Sequence, residues 1–538
     1  MRELRAFVLG GDGDPLADVM AALGQAFTVI EEHGTAGGGS RRRTWLDTFD
    51  WRLHDAGFTL EHEQTRRGGR LILTTKALTA EQPAPGWQSR RPVAPAGLPQ
   101  GPIRDVISRL VAPRALLPAA KAVTVRTALR LLNADGKTVA RLLADRTTVT
   151  AAPSGPVSPV SLPPLVSIAE VRGYPAQARR AAALIAELPG TRLAGADVFA
   201  AALEAAGHRP GEYTGKVTAS ITAQMPGAHA VATVLLDLLT TLTVNVDGVI
   251  RDIDTEFLHD LRVSVRRTRA AIKLLGDVLP SELAAHYRAE FKWLGDLTTP
   301  VRDLDVHLLG HDDLAASLTA AAPSDLEPLR EFLVRRRAAE FRVLTRGLRS
   351  TRFRALTHDW DKALREVLDT RPGSAAAAPS QRGRRQPKAS ALAAERTARA
   401  YRVIVRRGGV ITAQSAPESL HDLRKRCKEL RYLLEFFAPL YEPSGYRKAV
   451  GDLKQLQDCL GEFQDSQVQR EEIHDLAEQM LNERSRPPAA TLLAMGELAA
   501  RLAASQQRAR DEFGQRFTRF AGPSGEQRLR ALLEGQPR

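Results

Sequence analysis

The stretch Glu256-Phe-Leu-His259-Asp-Leu-Arg262-Val-Ser-Val-Arg266-Arg267-Thr-Arg269-Ala-Ala-Ile-Lys273 decides how this chain reads. An α-helix turns by about 100° per residue, so His259, Arg262, Arg266, Arg269 and Lys273 fall within roughly 80° of one another. Leu258, Leu261, Val265 and Ile272 lie off that stripe. The spacing therefore predicts a helix with an apolar core face beside a row of cations headed by one histidine. The pattern returns as His421-Asp-Leu-Arg424-Lys425-Arg426-Cys-Lys428-Glu-Leu-Arg431. Two such helices imply a shared task, and their charge implies an anionic ligand.

The recurrence is an internal repeat. His421 follows His259 by 162 residues, and that offset also pairs Arg269 with Arg431, Lys292 with Lys454, Asp296 with Asp458 and Asp303 with Asp465. Apolar positions coincide in any two helices; a shared His-Asp-Leu-Arg with further polar matches in one register does not arise that way. Between the halves, Arg371 to Ser390 holds five cations and no acids among Ala, Ser, Gly and Pro, which reads as a disordered linker. Helices fill the chain from about Gly227 onward.

The chain has 538 residues, 43% hydrophobic and 26% charged, which predicts a soluble globular protein of two or three domains. A net charge of +14 and a pI near 10.1 favour a partner dense in negative charge: nucleic acid, anionic membrane or polyphosphate. Two cysteines, Cys427 and Cys459, without CxxC spacing fit a reducing compartment and small core positions. The apolar run at Met1 is too short for a signal peptide. The segment from Ala228 to Val246, interrupted by Asp237, reads as a buried helix rather than a membrane span. A cytoplasmic location is the expectation.

The first part of the chain has strand character. Leu4 to Leu9, Leu71 to Thr75, Val139 to Val149 and Leu165 to Tyr174 read as strands, and Pro15 to Phe27 and Ile103 to Val111 as helices. Pro153 to Pro164 reads as a connection.

His259-Asp-Leu-Arg-Val-Ser-Val-Arg-Arg-Thr-Arg with Val301-Arg-Asp-Leu-Asp-Val306, and its second copy with Leu453-Lys-Gln-Leu-Gln-Asp-Cys-Leu-Gly461-Glu-Phe-Gln-Asp465, resemble the CHAD family, the conserved-histidine α-helical domain. The resemblance covers about residues 227–538. It implies two four-helix bundles (about 227–370 and 391–538) facing a basic groove that binds inorganic polyphosphate, and an association with polyphosphate granules. The residues it points to are His259, Arg262, Arg266, Arg267, Arg269, Lys273 and Lys292, with His421, Arg424, Lys425, Lys428, Arg431 and Lys454 in the second copy. Near a phosphate chain the histidine pKa values should rise. Thr299 stands where the second copy has Gly461 and is expected to touch a turn. Asp260 and Asp422 read as caps or inter-helix partners, and Asp303 and Asp465 as acceptors at a helix start. Arg335-Arg-Arg337, Arg342, Arg346 and Arg349, and Arg508, Arg510, Arg516 and Arg519, are further cations on the last helices.

Residues 1–220 resemble, more weakly, the CYTH family of triphosphate-tunnel β-barrels, through Trp45-Leu-Asp47-Thr48-Phe-Asp50-Trp-Arg-Leu53, Gly57 and Leu60, with Arg126, Asp135-Gly136 and Asp145 at later strands. The fold class expected is thus α+β: an antiparallel β-barrel-like domain followed by an all-α domain. The family's Glu-x-Glu-x-Lys would fall on Glu3, Arg5 and Phe7, and its Arg-x-Arg on Glu61-His62-Glu63. A triphosphate site needs carboxylates for a divalent metal and cations for phosphate, so this wall should repel phosphate and the domain should be inactive. No cofactor, metal site, specific nucleic-acid partner or membrane span is expected. The rival readings are a metal-dependent triphosphatase in the first domain and a non-specific nucleic-acid binder.

Overall fold

The computed structural model describes residues 3–10, 13–32, 38–76, 78–88, 92–152, 155–193, 198–370 and 387–534, with 3–5, 151–152 and 155–157 as backbone only. The side chains of Glu3 and Arg5 and most of the expected linker, 371–386, lie outside the described residues. The chain divides into two compact units, Met1–Thr214 and Gly215–Arg538.

The first unit runs β1 (Glu3–Val8), α1 (Pro15–Gly24), β2 (Thr28–Glu31), β3 (Gly39–Thr48), α2 (Arg52–Asp55), β4 (Thr59–Thr65), β5 (Gly68–Thr74), β6 (Thr79–Pro83), α3 (Pro102–Val111), β7 (Leu116–Leu132), β8 (Thr138–Ala152), β9 (Gly155–Ser161), β10 (Leu165–Glu170), α4 (Pro175–Ala186), β11 (Arg192–Leu193) and α5 (Val198–Ala205). The strands form one antiparallel sheet in the order β11-β1-β10-β8-β7-β3-β4-β5-β6, with β2 on β7 and β9 on β8. No pairing joins β6 to β11 among the described residues. The Pro/Ser stretch expected to be a connection contains β9, which pairs with β8 through Thr148–Ser161. Its prolines sit on a strand paired on one side, where a missing N–H is tolerated.

Alternation along the strands sorts the unit into layers. Leu129, Leu142, Val166 and Ile168 face α1 and α4 through Val19, Leu23 and Ala181. Leu46, Leu60 and Leu71 face α3 through Ile103 and Ile107. On β3, the face opposite Leu46 carries Arg41, Arg43 and Trp45, and Phe199 of α5 stacks on Trp45 at 5.9 Å between ring centres.

The second unit is helical: α6 (Gly227–Ile250), α7 (Thr255–Leu275), α8 (Ser281–Ala316), α9 (Glu327–Leu348), α10 (Thr351–Asp369), α11 (Ala389–Gly408), α12 (Pro417–Phe436), α13 (Pro443–Leu481), α14 (Ala489–Ala521) and α15 (Pro523–Glu534). The helices α11, α12, α13 and α14 begin at 389, 417, 443 and 489, each 162 residues after the starts of α6, α7, α8 and α9 at 227, 255, 281 and 327. The repeat is therefore four helices in unbroken register, and a fifth in each half departs from it. In the first half Ser350 ends the register by capping α10, its hydroxyl accepting from Phe353 N at 3.1 Å. In the second half α14 runs on to Ala521.

The halves meet about a pseudo-two-fold axis. Gly227 N donates to Pro387 O at 2.8 Å and Ala389 N donates to Met225 O at 2.8 Å, which are reciprocal bonds between residues equivalent under the 162-residue offset. Pro226 and its equivalent Lys388 form a bridge between them. Residues 387–390, read as the end of a disordered linker, are thus ordered: two form the bridge segment and two begin α11. At the other end the tips of α8, α9, α13 and α14 share one apolar core, including Leu326, Phe332, Leu333, Ile473, Met480 and Met495.

Of all the helices, α6 alone among the described residues is long and apolar enough to cross a membrane, and 61% of its most apolar window is buried inside the unit. On α7, Asp254 caps the helix by accepting from Glu256 N at 3.0 Å and Phe257 N at 3.3 Å. Leu258, Leu261, Val265 and Ile272 are buried, as the spacing requires. The α6–α7 corner is tight: a Cβ on Gly248 would sit 2.1 Å from the Phe257 ring. Gly248→Ala should cost about 1–3 kcal/mol through overpacking, measured as a lowered denaturation midpoint with unchanged helix content; an unchanged midpoint would contradict this packing.

Candidate functional site

The two His-led helices lie against each other, and opposite charges hold the contact. Arg267 of α7 binds Glu435 of α12 at 2.9 Å, and Lys273 of α7 binds Glu429 at 2.7 Å. Glu429 is the repeat equivalent of Arg267 and Glu435 that of Lys273, so the pairs exchange under the pseudo-two-fold. Arg431 also bonds Glu435, at 2.6 Å. Arg267 and Lys273, two of the expected ligand contacts, are therefore engaged in joining the two halves, and Arg431, a third, is held within α12 by Glu435. Arg267 further donates to Gly215 O at 2.6 Å.

The N-terminal ends of the rows carry the remaining charge. Arg266 reaches across to Tyr432 Oη at 3.2 Å. Lys428 is half-buried, and that burial, reinforced by the charges of Arg266 and Arg424 and opposed by Asp465, pulls its pKa from 10.5 to about 8. Arg262 donates to Thr299 Oγ1 at 2.7 Å and Thr298 Oγ1 at 3.1 Å, and burial holds its pKa below the ordinary arginine value. Arg269 passes over Gly295, where a Cβ would stand 2.8 Å from its Nη1. Arg424 pairs with Asp465 at 2.9 Å. Lys425 is exposed on α12.

The histidines differ. His421 Nδ1 lies 2.5 Å from Gln464 Oε1. The position equivalent to Gln464 in the first half is Arg302, and burial together with the Arg302 charge pulls the His259 pKa below 6.5. His259 is thus mostly neutral at pH 7 without a ligand and has room to take up a proton. Arg302 was not singled out from sequence. The signal was present, because Arg302 follows His259 by the same interval that separates Gln464 from His421.

Three sequence expectations are corrected. Thr299 does not touch a turn: it lies inside α8 and accepts from Arg262, and Gly461 lies inside α13. Asp303 and Asp465 are not at helix starts but near the middle of α8 and α13, where they face Arg262 and Arg424. Burial raises the Asp303 pKa. Asp422 does pair between helices, with Arg407 of α11. Lys292 is exposed and bonded to Asp296 at 2.6 Å, and Lys454 is exposed on α13. Of the further arginines, Arg337 is held by Asp305 at 2.5 Å and by Asp252 at 2.7 Å, Arg335 by Glu483 at 2.8 Å and Arg516 by Glu512 at 3.1 Å. Cys427 and Cys459 are buried free thiols.

A sequence model of the CHAD domain matches residues 233–474, a span that holds both His-led helices, all of α8 and most of α13. Residues 233–474 are a CHAD domain. Solved structures similar to the chain include the following two. The crystal structure of the CHAD domain from the plant Ricinus communis is 24% identical, covering 57% of this chain and 97% of that one with a TM-score of 0.47. PptA from Streptomyces chartreusis is 17% identical, covering 55% and 99% with a TM-score of 0.41. No curated protein matches the chain.

Outside the CHAD domain, the sheet of the first unit places the second motif. Asp47 is buried, and its carboxylate accepts from Thr48 N at 2.7 Å, Leu53 N at 3.0 Å and His54 N at 3.0 Å. Burial nevertheless pushes its pKa up to about 6. Its contacts organise the β3–α2 turn, where Trp51 takes a φ of 61°. Asp50 is held by Thr48 at 2.7 Å and Arg52 at 2.9 Å.

The wall expected to repel phosphate is instead neutralised by arginines. Glu61 receives Arg43 through two bonds of 2.6 and 2.7 Å. Glu63 receives Arg70 at 2.8 Å and Arg41 at 3.3 Å. Asp145 receives Arg126 through two bonds of 2.5 Å.

In the CHAD domain, Lys428 is the group whose titration reports the cationic cluster. NMR titration of the lysine side chains should find its midpoint near 8 and Lys428→Arg should remove that signal; a midpoint at the ordinary 10.5 would contradict the clustering. The sign for stability follows. With a folded pKa below the unfolded one, the penalty of the buried charge is complete below pH 8 and is relieved as pH rises toward 10.5.

Proposed function

We propose that the helical unit binds inorganic polyphosphate through the cluster where α7 meets α12. The observation that carries this reading is Lys428, a half-buried ammonium flanked by Arg266 and Arg424 with only Asp465 in opposition. A site that keeps cations together against their mutual repulsion is relieved by a polyanion. Polyphosphate has no base edges to read, so a track of forked guanidinium donors suffices. Arg262, Arg266, Arg269, Arg302, Arg424 and Lys428 form that track, with His259 and His421 at its head. Arg267 and Lys273 position the two helices. Residence in the cytoplasm and association with polyphosphate granules belong to this proposal; the family resemblance and the two free thiols support them.

Arg266→Ala with Lys428→Ala should weaken polyphosphate retention and leave the fold intact, because neither side chain closes a core. Affinity should fall with salt through counterion release, and the double variant should lower the log–log salt slope by about 0.7 per lost contact. Unchanged retention and slope in a folded double variant would overturn the site. Displacement of polyphosphate by duplex DNA at equal phosphate concentration and moderate salt would favour a general polyanion binder instead.

We further propose that the first unit does not hydrolyse triphosphate. What supports this is the pairing of Arg41, Arg43, Arg70 and Arg126 with Glu61, Glu63 and Asp145, which takes up cations a triphosphate would need. The full chain should release no phosphate from tripolyphosphate with magnesium or manganese. Release that is lost on changing Glu3 would establish the enzyme.

A further inference from the structure

A second cationic recess lies on the opposite side of α12. It encloses about 300 Å³ between α7, α11 and α12 and is rimmed by Lys273, Arg396, Arg399, Arg406, Arg407 and Arg426 over a floor that includes Leu274, Val403 and Leu433. At about 100° per residue, Arg426, Glu429 and Leu433 point roughly 140–200° away from Arg424, so this recess and the α7/α12 cluster use different faces of one helix.

Four of the six cations have acidic partners. Glu429 serves both Lys273 at 2.7 Å and Arg426 at 3.0 Å, Asp277 holds Arg396 at 2.5 Å, and Asp422 holds Arg407. Arg399 and Arg406 are exposed two helical turns apart on α11, and neither has an acidic partner among the described residues. Sharing one carboxylate between two cations leaves a further positive excess.

The repeat shows that this charge is not inherited from the duplicated site. With α6 and α11 in register from their first residues, Arg396, Arg399, Arg406 and Arg407 stand where α6 has Val234, Asp237, Val244 and Asn245. The first half has no basic counterpart to these four arginines, whereas the α7/α12 cluster draws its repeated cations from both halves. Charge repeated by descent needs no separate explanation; four arginines gathered in one copy at one recess do.

We propose that this recess is a second binding site, for a run of linked phosphates: either a short oligophosphate or a segment of a longer chain. Its apolar floor lowers the local dielectric and strengthens the field of the rim, and the guanidinium forks offer paired donors to phosphate oxygens. A bound phosphate would compete with Glu429 for Lys273 and Arg426. The site stands independently of the function assigned to the α7/α12 cluster.

The test follows Lys273, whose side chain is 61% exposed, by amine-reactive labelling and mass spectrometry on the full chain. Tripolyphosphate and long-chain polyphosphate are compared at equal phosphate concentration. Lys273 should lose labelling on ligand addition in the native protein and in the Arg266→Ala, Lys428→Ala variant. It should stay labelled in an Arg399→Ala, Arg406→Ala variant whose helix content is unchanged. Protection by tripolyphosphate identifies a pocket for short anions, and protection by the long chain alone identifies a polymer segment. No protection in the native protein overturns the proposal, as does protection that survives Arg399→Ala, Arg406→Ala. Protection lost with the α7/α12 variant would make the recess an extension of that cluster and overturn its independence. Loss of polyphosphate retention is read separately, so the two sites fail separately.

Discussion

The helical unit depends on how two arginine-rich helices come to lie side by side. Like charges at contact distance repel, and α7 and α12 each carry a row of cations. The repulsion is offset where α12 replaces two of the repeated cations by acids, so that Arg267 meets Glu435 and Lys273 meets Glu429. Because the halves are related by a pseudo-two-fold, each cation meets the acid that substitutes for the other. An exposed ion pair alone contributes little; Arg267 and Glu435 are only 13% and 16% exposed, so this pair is better shielded from solvent. The arrangement also carries a sense of pairing: two copies of the first half would place Arg267 against Lys273.

This lock divides each row into two parts. The far ends, with Arg267 and Lys273, are spent on joining the halves. The near ends carry Arg262 and Arg266 on α7 and Arg424 and Lys428 on α12, tempered by Asp303 and Asp465. The long helices α8 and α13 supply those acids and the hydroxyls that steady Arg262, and their tips close the domain through a shared apolar core. Packing at one end and ion pairs at the other thus hold the cations where mutual repulsion would separate them.

The sheet of the first unit uses similar residues to a different end. Arg41, Arg43, Arg70 and Arg126 are as numerous as the cations of one helical row, yet Glu61, Glu63 and Asp145 lie across the ladder within reach of each. Cross-strand neighbours meet directly, so arginines and carboxylates on one face neutralise one another. Whether a row of arginine binds or merely holds a fold is decided by where the acids fall in space.

Much of this was legible in the chain itself. The period of leucines and arginines determined that residues 256–273 are a helix with a core face and a charged face. The unbroken 162-residue offset determined that the domain is a duplication, because a shared His-Asp-Leu-Arg and further polar matches do not keep one spacing by chance. Local residues could not reveal the partner of each charge. Arg267 and Lys273 read as ligand contacts because Glu435 and Glu429 lie 168 and 156 positions away along the chain and meet them only in space. Thr299 looked remote from Arg262, and Arg302 from His259, because helical turns on separate elements bring together residues about forty positions apart. The recess behind α12 was invisible for the same reason, its cations being scattered over three helices. Sequence determined which faces are charged; only tertiary structure decided which of those charges remain available, because electrostatic neutralisation depends on distance in space rather than along the chain.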